Sequence, residues 1–382
     1  MSDANAEQLF VTTTPGLEEV LAEEARALGR VSRMEEGVRL EGPRGLHRAA
    51  NLHLRCASRV LLRVANLEVR DARALESALK GVCLDAFRGP QGLALGSVEV
   101  RGAPYGRREV EAAASRALRL VRPDPHAAAS VGNAPGRGAD PFAPAPVGVW
   151  LRAVGGQLTV SVDTSGALLF RRGYRQEVSR APLRETLAAG ILALAGHRSD
   201  ETLVDPMCGS GTFLIEGAWR AMGRAPGSLR PFAFEAFPSH DPAAWSAQKQ
   251  RAVQAEGTAP KVYGRDLNAG ALGTARRNAR RAGVQPALVL ERTDLSQQGP
   301  PAGPPGLVVV NPPYGKRVGE RAELEGLYQT LGSVLRERFR GWRAAVLVPD
   351  ARLSRALALP DVASHPLENG GLRIQLEITQ LT

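Results

Sequence analysis

The chain has 382 residues, of which 43% are hydrophobic and 5% aromatic, so it can form two or three domains with mainly aliphatic cores. Its 49 lysines and arginines exceed its 39 aspartates and glutamates, and the net charge of +10 suits a polyanionic partner such as a nucleic acid. The short apolar runs, the polar N-terminus and the wide separation of Cys56, Cys83 and Cys208 predict a reduced cytoplasmic protein without a membrane span, a signal peptide, a disulfide framework or a metal site.

The first predicted domain, residues 1–69, has the pattern of a small α/β unit. Alternating apolar residues predict strands over 8–13, 38–41 and 59–65. Helical periodicity predicts helices over 17–28 and 45–56.

The second predicted domain, residues 70–165, is another compact α/β unit. The predicted elements are helices over 72–79 and 107–120, a strand over 98–101, and a hairpin of 149–153 with 158–162. Residues 122–147 are dominated by Pro, Ala, Gly and Asp, which is typical of a low-complexity, mobile loop.

A basic joint follows over residues 166–184. Arg171, Arg172 and Arg175 surround Tyr174, and such a cluster could grip phosphates and stack a base. We therefore predict nucleic-acid contacts for these four residues. A solvated linker is the alternative explanation of the same pattern.

Residues 166–382 form the third predicted domain, in which strands alternate with helices. The predicted strands are 202–204, 262–264, 287–290, 307–310, 344–348 and 372–378. Helical segments such as 322–339 separate most of them, which indicates a doubly wound, largely parallel sheet. The aromatic segment 225–250 interrupts this alternation, and we interpret it as an insertion that packs over one edge of the sheet.

A Gly-x-Gly turn leads from the first of these strands into a helix. The strand ends at Asp205, and Gly209 and Gly211 would allow a ligand to approach the backbone closely. A dinucleotide site would need a third glycine where Leu214 stands, and an acid much nearer than Asp266. The turn also lacks the Gly-Lys-Ser/Thr of a phosphate-binding loop, so the ligand is expected to be neither a dinucleotide nor a triphosphate.

Acidic residues stand at three successive strand ends. Asp205 could face an ammonium group, Asp266 could accept from ribose hydroxyls, and Asp294 could accept from an adenine amine. Each acid alone could instead cap a helix. Together they indicate a nucleoside that carries an amino-acid tail.

The tetrapeptide Asn311-Pro312-Pro313-Tyr314 follows the apolar strand 307–310. The prolines end the strand and stiffen the backbone. The Asn311 side chain and the Pro312 carbonyl could accept from the two N–H bonds of an exocyclic amine, and Tyr314 could stack on its base. The structural alternative is a Pro-Pro turn beside a buried tyrosine.

In their residues and their order, segments 205–213 and 311–314 resemble class I S-adenosylmethionine-dependent methyltransferases that modify exocyclic amines. With segments 171–175 and 369–372, nearly the whole chain resembles the RNA methyltransferases that carry a THUMP domain. Among these, the likeness is strongest to the bacterial guanine-N2 methyltransferases of large-subunit rRNA. The resemblance weakens over 80–147.

This resemblance implies an α/β protein in which a Rossmann-like methyltransferase domain (166–382) follows a ferredoxin-like unit (1–69) and a THUMP domain (70–165) that bind RNA. The implied cofactor is S-adenosylmethionine, and the implied partner is RNA, most of all large-subunit rRNA; we expect a monomer. The implied catalytic residues are Asn311, Pro312, Pro313 and Tyr314. The implied cofactor-binding residues are Asp205, Pro206, Cys208, Gly209, Gly211, Thr212, Asp266 and Asp294.

Three alternatives remain at this level. The enzyme could methylate guanine N2 in tRNA, or adenine N6 in RNA or DNA, because the tetrapeptide tolerates either base. The chain could also be an RNA-binding module whose Rossmann-like domain is catalytically inert.

Overall fold

The computed structural model describes residues 6–121, 140–176, 183–254, 257, 260–314 and 321–382, so most of the predicted mobile loop lies outside the described residues. The strands are β1 Ala6–Thr13, β2 Arg30–Met34, β3 Gly37–Pro43, β4 Ala57–Glu68, β5 Leu93–Arg101, β6 Val147–Val154, β7 Gln157–Asp163, β8 Leu203–Asp205, β9 Val262–Asp266, β10 Leu288–Arg292, β11 Leu307–Val310, β12 Arg343–Val348, β13 Ala363–Asn369 and β14 Leu372–Gln380. The α-helices are α1 Glu18–Arg26, α2 Leu46–His53, α3 Ala74–Lys80, α4 Arg107–Ala117, α5 Glu185–Leu194, α6 Thr212–Ala221, α7 Pro242–Gln254, α8 Ala269–Arg281, α9 Arg321–Arg338 and α10 Ala351–Leu357. No helix in this part of the chain is long and apolar enough to cross a membrane.

The chain divides into two compact units. The first consists of Met1–Thr13, Leu21–Leu169 and Arg230–Gln250. The second consists of Thr14–Val20, Phe170–Leu229 and Arg251–Thr382.

A seven-stranded sheet organises the first unit, in the order β2-β3-β1-β4-β7-β6-β5. Neighbouring strands are antiparallel except β5 and β6, which are parallel. Central β4 pairs with β1 on one side and β7 on the other, so one sheet spans the first two predicted domains. The assignment of residues 70–165 to a THUMP domain stays a prediction.

The second unit contains another seven-stranded sheet, in the order β10-β9-β8-β11-β12-β14-β13. The five strands from β8 to β12 are parallel, and β14 and β13 continue the sheet antiparallel. All four residues of β11 are buried. Leu307 and Val309 pack into a core with α5, whereas Val308 and Val310 pack into a second core with α9. Helices therefore cover both faces of this sheet, which confirms the predicted doubly wound α/β fold.

The structure differs from the sequence patterns in three places. The patterns do not predict β2 and β13, which lie at an edge of each sheet. The predicted insertion 225–250 is also divided, because Arg230–Gln250 belongs to the first compact unit and residues 225–229 to the second. Its Phe234 N–H donates to the Thr164 carbonyl oxygen (3.2 Å), and its Phe237 ring packs edge-on against Phe87 at 5.3 Å.

Candidate active site

Four neighbouring parallel strands have their carboxyl ends on the same side of the second sheet, which we call its C-terminal end. β10, β9, β8 and β11 lie side by side, with Asp205 of β8 opposite Gly264 of β9. Asp205 and Asp266 are the last residues of β8 and β9, and Asn311 directly follows β11. Open α/β sheets bind ligands at the C-terminal end of their strands. The structure therefore brings Asp205, Asp266 and Asn311 to the end of the sheet where the sequence predicts a ligand.

The loop between β8 and α6 contains two glycines with a left-handed backbone. Gly209 has φ of 52°, and a Cβ there would meet nothing within 4 Å. Gly211 has φ of 83°, and a Cβ there would lie 3.1 Å from the Cβ of Ala275. The Cys208 N–H donates to the Arg265 carbonyl oxygen (2.9 Å), which ties the loop to β9. The open space at Gly209 is what a ligand needs to reach the loop backbone.

Asp205 is a buried acid, with 2% of its surface exposed. Its Oδ1 accepts a hydrogen bond from the Met207 N–H at 3.0 Å. Burial raises the pKa of Asp205 to about 8; the Met207 bond acts in the opposite direction, and the Asp266 carboxylate raises the pKa further. Among the described residues Asp205 has no ion-pair partner, so a cationic ligand group would complete its environment.

Asp266 is half-buried and organises the loops around it. Its Oδ2 accepts from the Gly209 N–H (2.9 Å) and its Oδ1 from the Asn268 N–H (2.8 Å). Each oxygen can accept a second hydrogen bond, as a ribose diol would require. The helix-capping role belongs to Asn268, which accepts from Gly270 and Ala271 at the start of α8. Capping therefore does not explain Asp266.

Asp294 is exposed and does serve as a cap. Its Oδ1 accepts from the Ser296 N–H (2.9 Å) and hydroxyl (2.6 Å) at the start of the 3₁₀ turn Leu295–Gln297. The side-chain hydrogen bond from Ser296 lowers the pKa of Asp294. The structural alternative is thus present at this position, and contact with an adenine amine stays a prediction.

The remaining predicted cofactor residues shape the same loop. Buried Gln298 donates from Nε2 to the Pro206 carbonyl oxygen at 3.0 Å. The Thr212 hydroxyl accepts a hydrogen bond from Arg175 Nη2. Cys208 is buried, and this burial raises the pKa of its thiol. In the described part of the chain, no three His, Cys, Asp or Glu side chains lie close enough together to hold a metal ion.

The tetrapeptide after β11 is irregular, with Pro312 buried, Pro313 exposed, and Asn311 and Tyr314 half-buried. The Asn311 Oδ1 is buried and has no hydrogen-bond donor among the described residues. The Tyr314 hydroxyl accepts from Asn369 Nδ2 at 2.6 Å, and burial raises its pKa. A buried, unpaired acceptor beside a held aromatic ring is the arrangement that a planar amine requires.

The basic joint has a different role from the predicted one. Arg172 and Tyr174 are 1% and 0% exposed. Arg172 Nε lies 3.5 Å from Glu216 Oε1, and the Tyr174 hydroxyl donates to the same oxygen at 3.2 Å. Tyr174 also packs edge-on against Trp219. Burial and these partners contradict the predicted RNA contacts of Arg172 and Tyr174, because RNA cannot reach them.

Arg175 belongs to the same buried network. Its Nε lies 3.3 Å from Glu185 Oε1, and its Nη1 donates to the Leu183 carbonyl oxygen at 3.0 Å. Together with the bond to Thr212, these contacts hold Arg175 against the glycine loop. These contacts indicate that Arg175 supports the glycine loop, which differs from its predicted RNA contact. Arg171, half-buried over the Phe170 ring at 5.4 Å, keeps its predicted RNA contact as a prediction.

Sequence reasoning assigns no role to Asn369, Gln298 or Glu216, which hold the tyrosine, the loop and the arginine. Asn369 had a signal, because it precedes Gly370 and Gly371 in the β13–β14 turn, where both glycines have positive φ. Gln298 and Glu216 had none, since each acts on a residue more than 40 positions away.

Comparisons with known proteins identify two domains. The RMKL-like methyltransferase domain matches residues 172–378, and the RlmL ferredoxin-like domain matches residues 8–61. The Ribosomal RNA large subunit methyltransferase K/L of Colwellia psychrerythraea is 31% identical over 99% of this chain and 53% of its own length. The chain thus spans about half of that relative.

Two further proteins match along nearly their whole length. The Synechocystis protein slr0064, named as an RNA methyltransferase, is 30% identical over 97% of this chain and 95% of its own. The crystal structure of SMU.472, described as a methyltransferase complexed with SAH, is 25% identical, has a TM-score of 0.81 and covers 99% of both chains. These matches confirm the predicted fold, enzyme class and cofactor. The chain belongs to the RMKL-like family of S-adenosylmethionine-dependent methyltransferases.

Proposed function

We propose that this protein methylates the exocyclic N2 amine of a guanine in large-subunit rRNA. The RNA class is supported by the name of the Synechocystis relative, and large-subunit rRNA by the name of the K/L relative, of which this chain spans about half. Guanine N2 rests on the family resemblance of the sequence motifs.

The observation that carries the proposal is the buried Asn311 Oδ1, which has no hydrogen-bond donor among the described residues. A buried acceptor without a donor costs about 1–3 kcal/mol, so such a group persists where a ligand supplies the donor. Asn311 stands at the carboxyl end of β11, next to the strand that ends in Asp205. An N–H donor of the substrate would therefore pair with Asn311, and a cationic group of the cofactor would pair with Asp205 at the neighbouring strand end.

The residues present fit S-adenosylmethionine. Asp205, a buried acid that lacks an ion-pair partner among the described residues, suits the ammonium of the methionyl tail, and Asp266 retains acceptor capacity for the ribose hydroxyls. Gly209 leaves room for close approach. When bound, this cofactor supplies a methyl group on a sulfonium for in-line transfer to nitrogen.

The protein's own contribution is to prepare the amine. The guanine N2 lone pair is delocalised into the ring and is a weak nucleophile. Asn311 Oδ1 and the Pro312 carbonyl would accept its two N–H bonds and favour the pyramidal geometry that frees the lone pair. The amine would have to release one proton on methylation; because that proton becomes acidic as nitrogen gains the methyl group, water could take it without a strong general base.

Tyr314 would hold the base in place. Its ring offers a stacking surface for a base flipped out of the RNA, worth roughly 1–3 kcal/mol. The hydrogen bond from Asn369 fixes the end of the tyrosine that carries the hydroxyl. Positioning of this kind supplies a large part of the rate in methyl transfer.

The test is single-turnover methyl transfer to unmodified rRNA. Asn311→Ala keeps the strand, both prolines and Tyr314, so we expect cofactor affinity to be unchanged and the transfer rate to fall by about 10²–10³. Asn66→Ala, which removes an exposed amide that accepts from Thr159 in the first sheet, is the control. Near-normal transfer by Asn311→Ala would return the tetrapeptide to the status of a structural turn.

Nucleoside mass spectrometry of the product identifies the base. N2-methylguanosine in large-subunit rRNA would support the proposal. N2-methylguanosine in tRNA would show that the substrate is tRNA, and N6-methyladenosine would show that the base is adenine. If the protein does not bind S-adenosylmethionine, it is a catalytically inert module.

A further inference from the structure

A cavity of about 610 Å³ lies within the first compact unit and includes none of the active-site residues. Its walls come from β1, β4, the start of α2, the 3₁₀ turn Asp85–Phe87 and the insertion Arg230–Gln250. Its volume is in the range of ordinary ligand pockets. The insertion therefore completes a pocket whose walls contain no part of the glycine loop.

The charge of this cavity is positive. Arg44, Arg48 and Arg63 line it, and Glu7 is the one acidic residue among its described lining residues. Glu7 accepts from the Gly45 and His47 N–H groups, each at 2.9 Å, and lies 2.9 Å from His47 Nδ1. Its carboxylate is thus occupied within the wall, and the arginines keep their charge for an anionic ligand.

Two of these arginines carry buried donors without acceptors. The Nε atoms of Arg48 and Arg63 are buried, and neither has a hydrogen-bond partner among the described residues. Arg63 donates through Nη1 to Gln8 at 3.2 Å, and its Nε makes no such bond. Buried donors of this kind point to an acceptor supplied from outside the protein, such as a phosphate oxygen.

The same cavity has a rigid aromatic wall. Phe87 is half-buried, and the buried Phe237 supports it edge-on at 5.3 Å. Phe234 supports the imidazole of His47 at 5.4 Å and lies 6.1 Å from His240. Flat rings beside arginines are the combination with which proteins bind single-stranded nucleic acid.

We propose that this cavity binds one unpaired nucleotide of the RNA substrate. The base would stack against Phe87 and His240, and the flanking phosphate would bind the arginines of the cavity, Arg44, Arg48 and Arg63. The assignment of RNA as ligand rests on the proposed function. The cavity would be a second RNA contact besides the active site. In this contact the insertion Arg230–Gln250 contributes to RNA binding and not to methyl transfer.

Two kinds of variant separate charge from stacking in the full-length protein. The double variant Arg44→Gln/Arg48→Gln should weaken binding of a labelled, unmodified rRNA fragment about tenfold, and should flatten the log–log salt dependence by about 0.7 for each phosphate that the protein no longer neutralises. Phe87→Leu should also weaken binding about tenfold, without a change in salt slope. Arg70→Gln, at an exposed arginine outside the cavity, is the matched control. The cavity is overturned as an RNA site if the variants bind like the control.

Two measurements on the wild-type protein avoid any effect of the substitutions on folding. Photo-crosslinking with 4-thiouridine-labelled rRNA should mark peptides that contain Phe87 or His240, and crosslinks confined to other peptides would refute the site. Guanosine 5′-monophosphate should bind much more weakly than the rRNA fragment; equal affinity would show a site for free nucleotides.

The cavity and the proposed function can fail separately. If the wild type binds RNA through the cavity but transfers no methyl group, the proposed function fails while the cavity stands. If methyl transfer proceeds and RNA binding does not depend on the cavity residues, the cavity is refuted and the proposed function stands.

Discussion

Asp205→Asn should make the protein without cofactor more stable and the cofactor bind less well. Asn has nearly the shape of Asp, and its side-chain oxygen can still accept the Met207 N–H. It removes a buried carboxylate that has no ion-pair partner among the described residues. In the folded protein such a group must either carry an isolated charge or keep its proton, and both cost free energy at neutral pH, whereas an amide does neither.

The size of the effect follows from the pKa of Asp205, which is about 8 in the folded protein against 3.8 in an exposed carboxyl. Between these values the unfolded chain has lost the proton that the folded chain keeps, so the free energy of unfolding falls as pH rises, by about 1.4 kcal/mol per pH unit. The asparagine has no such proton. From pH 5 to pH 7 the variant should therefore gain about 2–3 kcal/mol relative to wild type, and the gain should level off above pH 8.

Urea denaturation of both proteins without cofactor, at pH 5, 6, 7 and 8, measures this difference. Asp200→Asn, which removes a carboxylate whose side chain is 79% exposed, is the control for a general loss of negative charge. Calorimetry should add that the wild type releases a proton when S-adenosylmethionine binds at pH 7, and the variant does not. If the stability difference is the same at every pH, the carboxylate is not held protonated by burial and the reasoning fails.

The other predictions concern the ribose, the base platform and the buried ion pair. Asp266→Ala should weaken S-adenosylmethionine binding by about 1–3 kcal/mol, because the ribose hydroxyls lose their acceptor; unchanged affinity in a folded variant would remove Asp266 from the site. Asn369→Ala should raise the KM for RNA and spare cofactor affinity, because it releases the Tyr314 hydroxyl; an unchanged KM in steady-state assays would refute this role. Arg172→Met should lower the free energy of unfolding by about 3–5 kcal/mol, because Glu216 remains buried without its cationic partner and keeps, among the described residues, only the hydrogen bond from Tyr174. If Arg172 instead bound RNA, the variant protein would lose RNA affinity and keep its stability in urea.

The parallel strands of the second sheet could be predicted because their signal is local. Residues 307–310 form a wholly apolar run, and the structure places β11 over the same four residues. β13 has no such signal. It is an edge strand, it contains Pro366, and its buried and exposed residues do not alternate regularly. β2 is likewise a mainly polar edge strand. β2 forms because it pairs with β3, and its own composition does not predict a strand.

Site residues divide in the same way. The positions of Asp205, Asp266 and Asn311 at neighbouring strand ends could be predicted, because apolar strands and the polar residues that follow them are visible in the sequence. The error over Arg172 and Tyr174 arose because the charge of an arginine is visible in the sequence but its partner, Glu216, lies 44 residues away on helix α6. Charge density alone does not distinguish a buried ion pair from a surface that binds RNA.

Synthesis on the ribosome delivers the strands of the first sheet at very different times. β1 and β3 are available when β4 emerges, but β7 follows roughly 90 residues later, about 5–20 s at ordinary translation rates. During that interval one side of β4 presents unpaired backbone groups, a template for pairing between nascent chains. The unit closes later still, when Arg230–Gln250 has been made. A slow stretch of translation between residues 69 and 157 should therefore reduce the yield of folded protein more than an equal delay after residue 250.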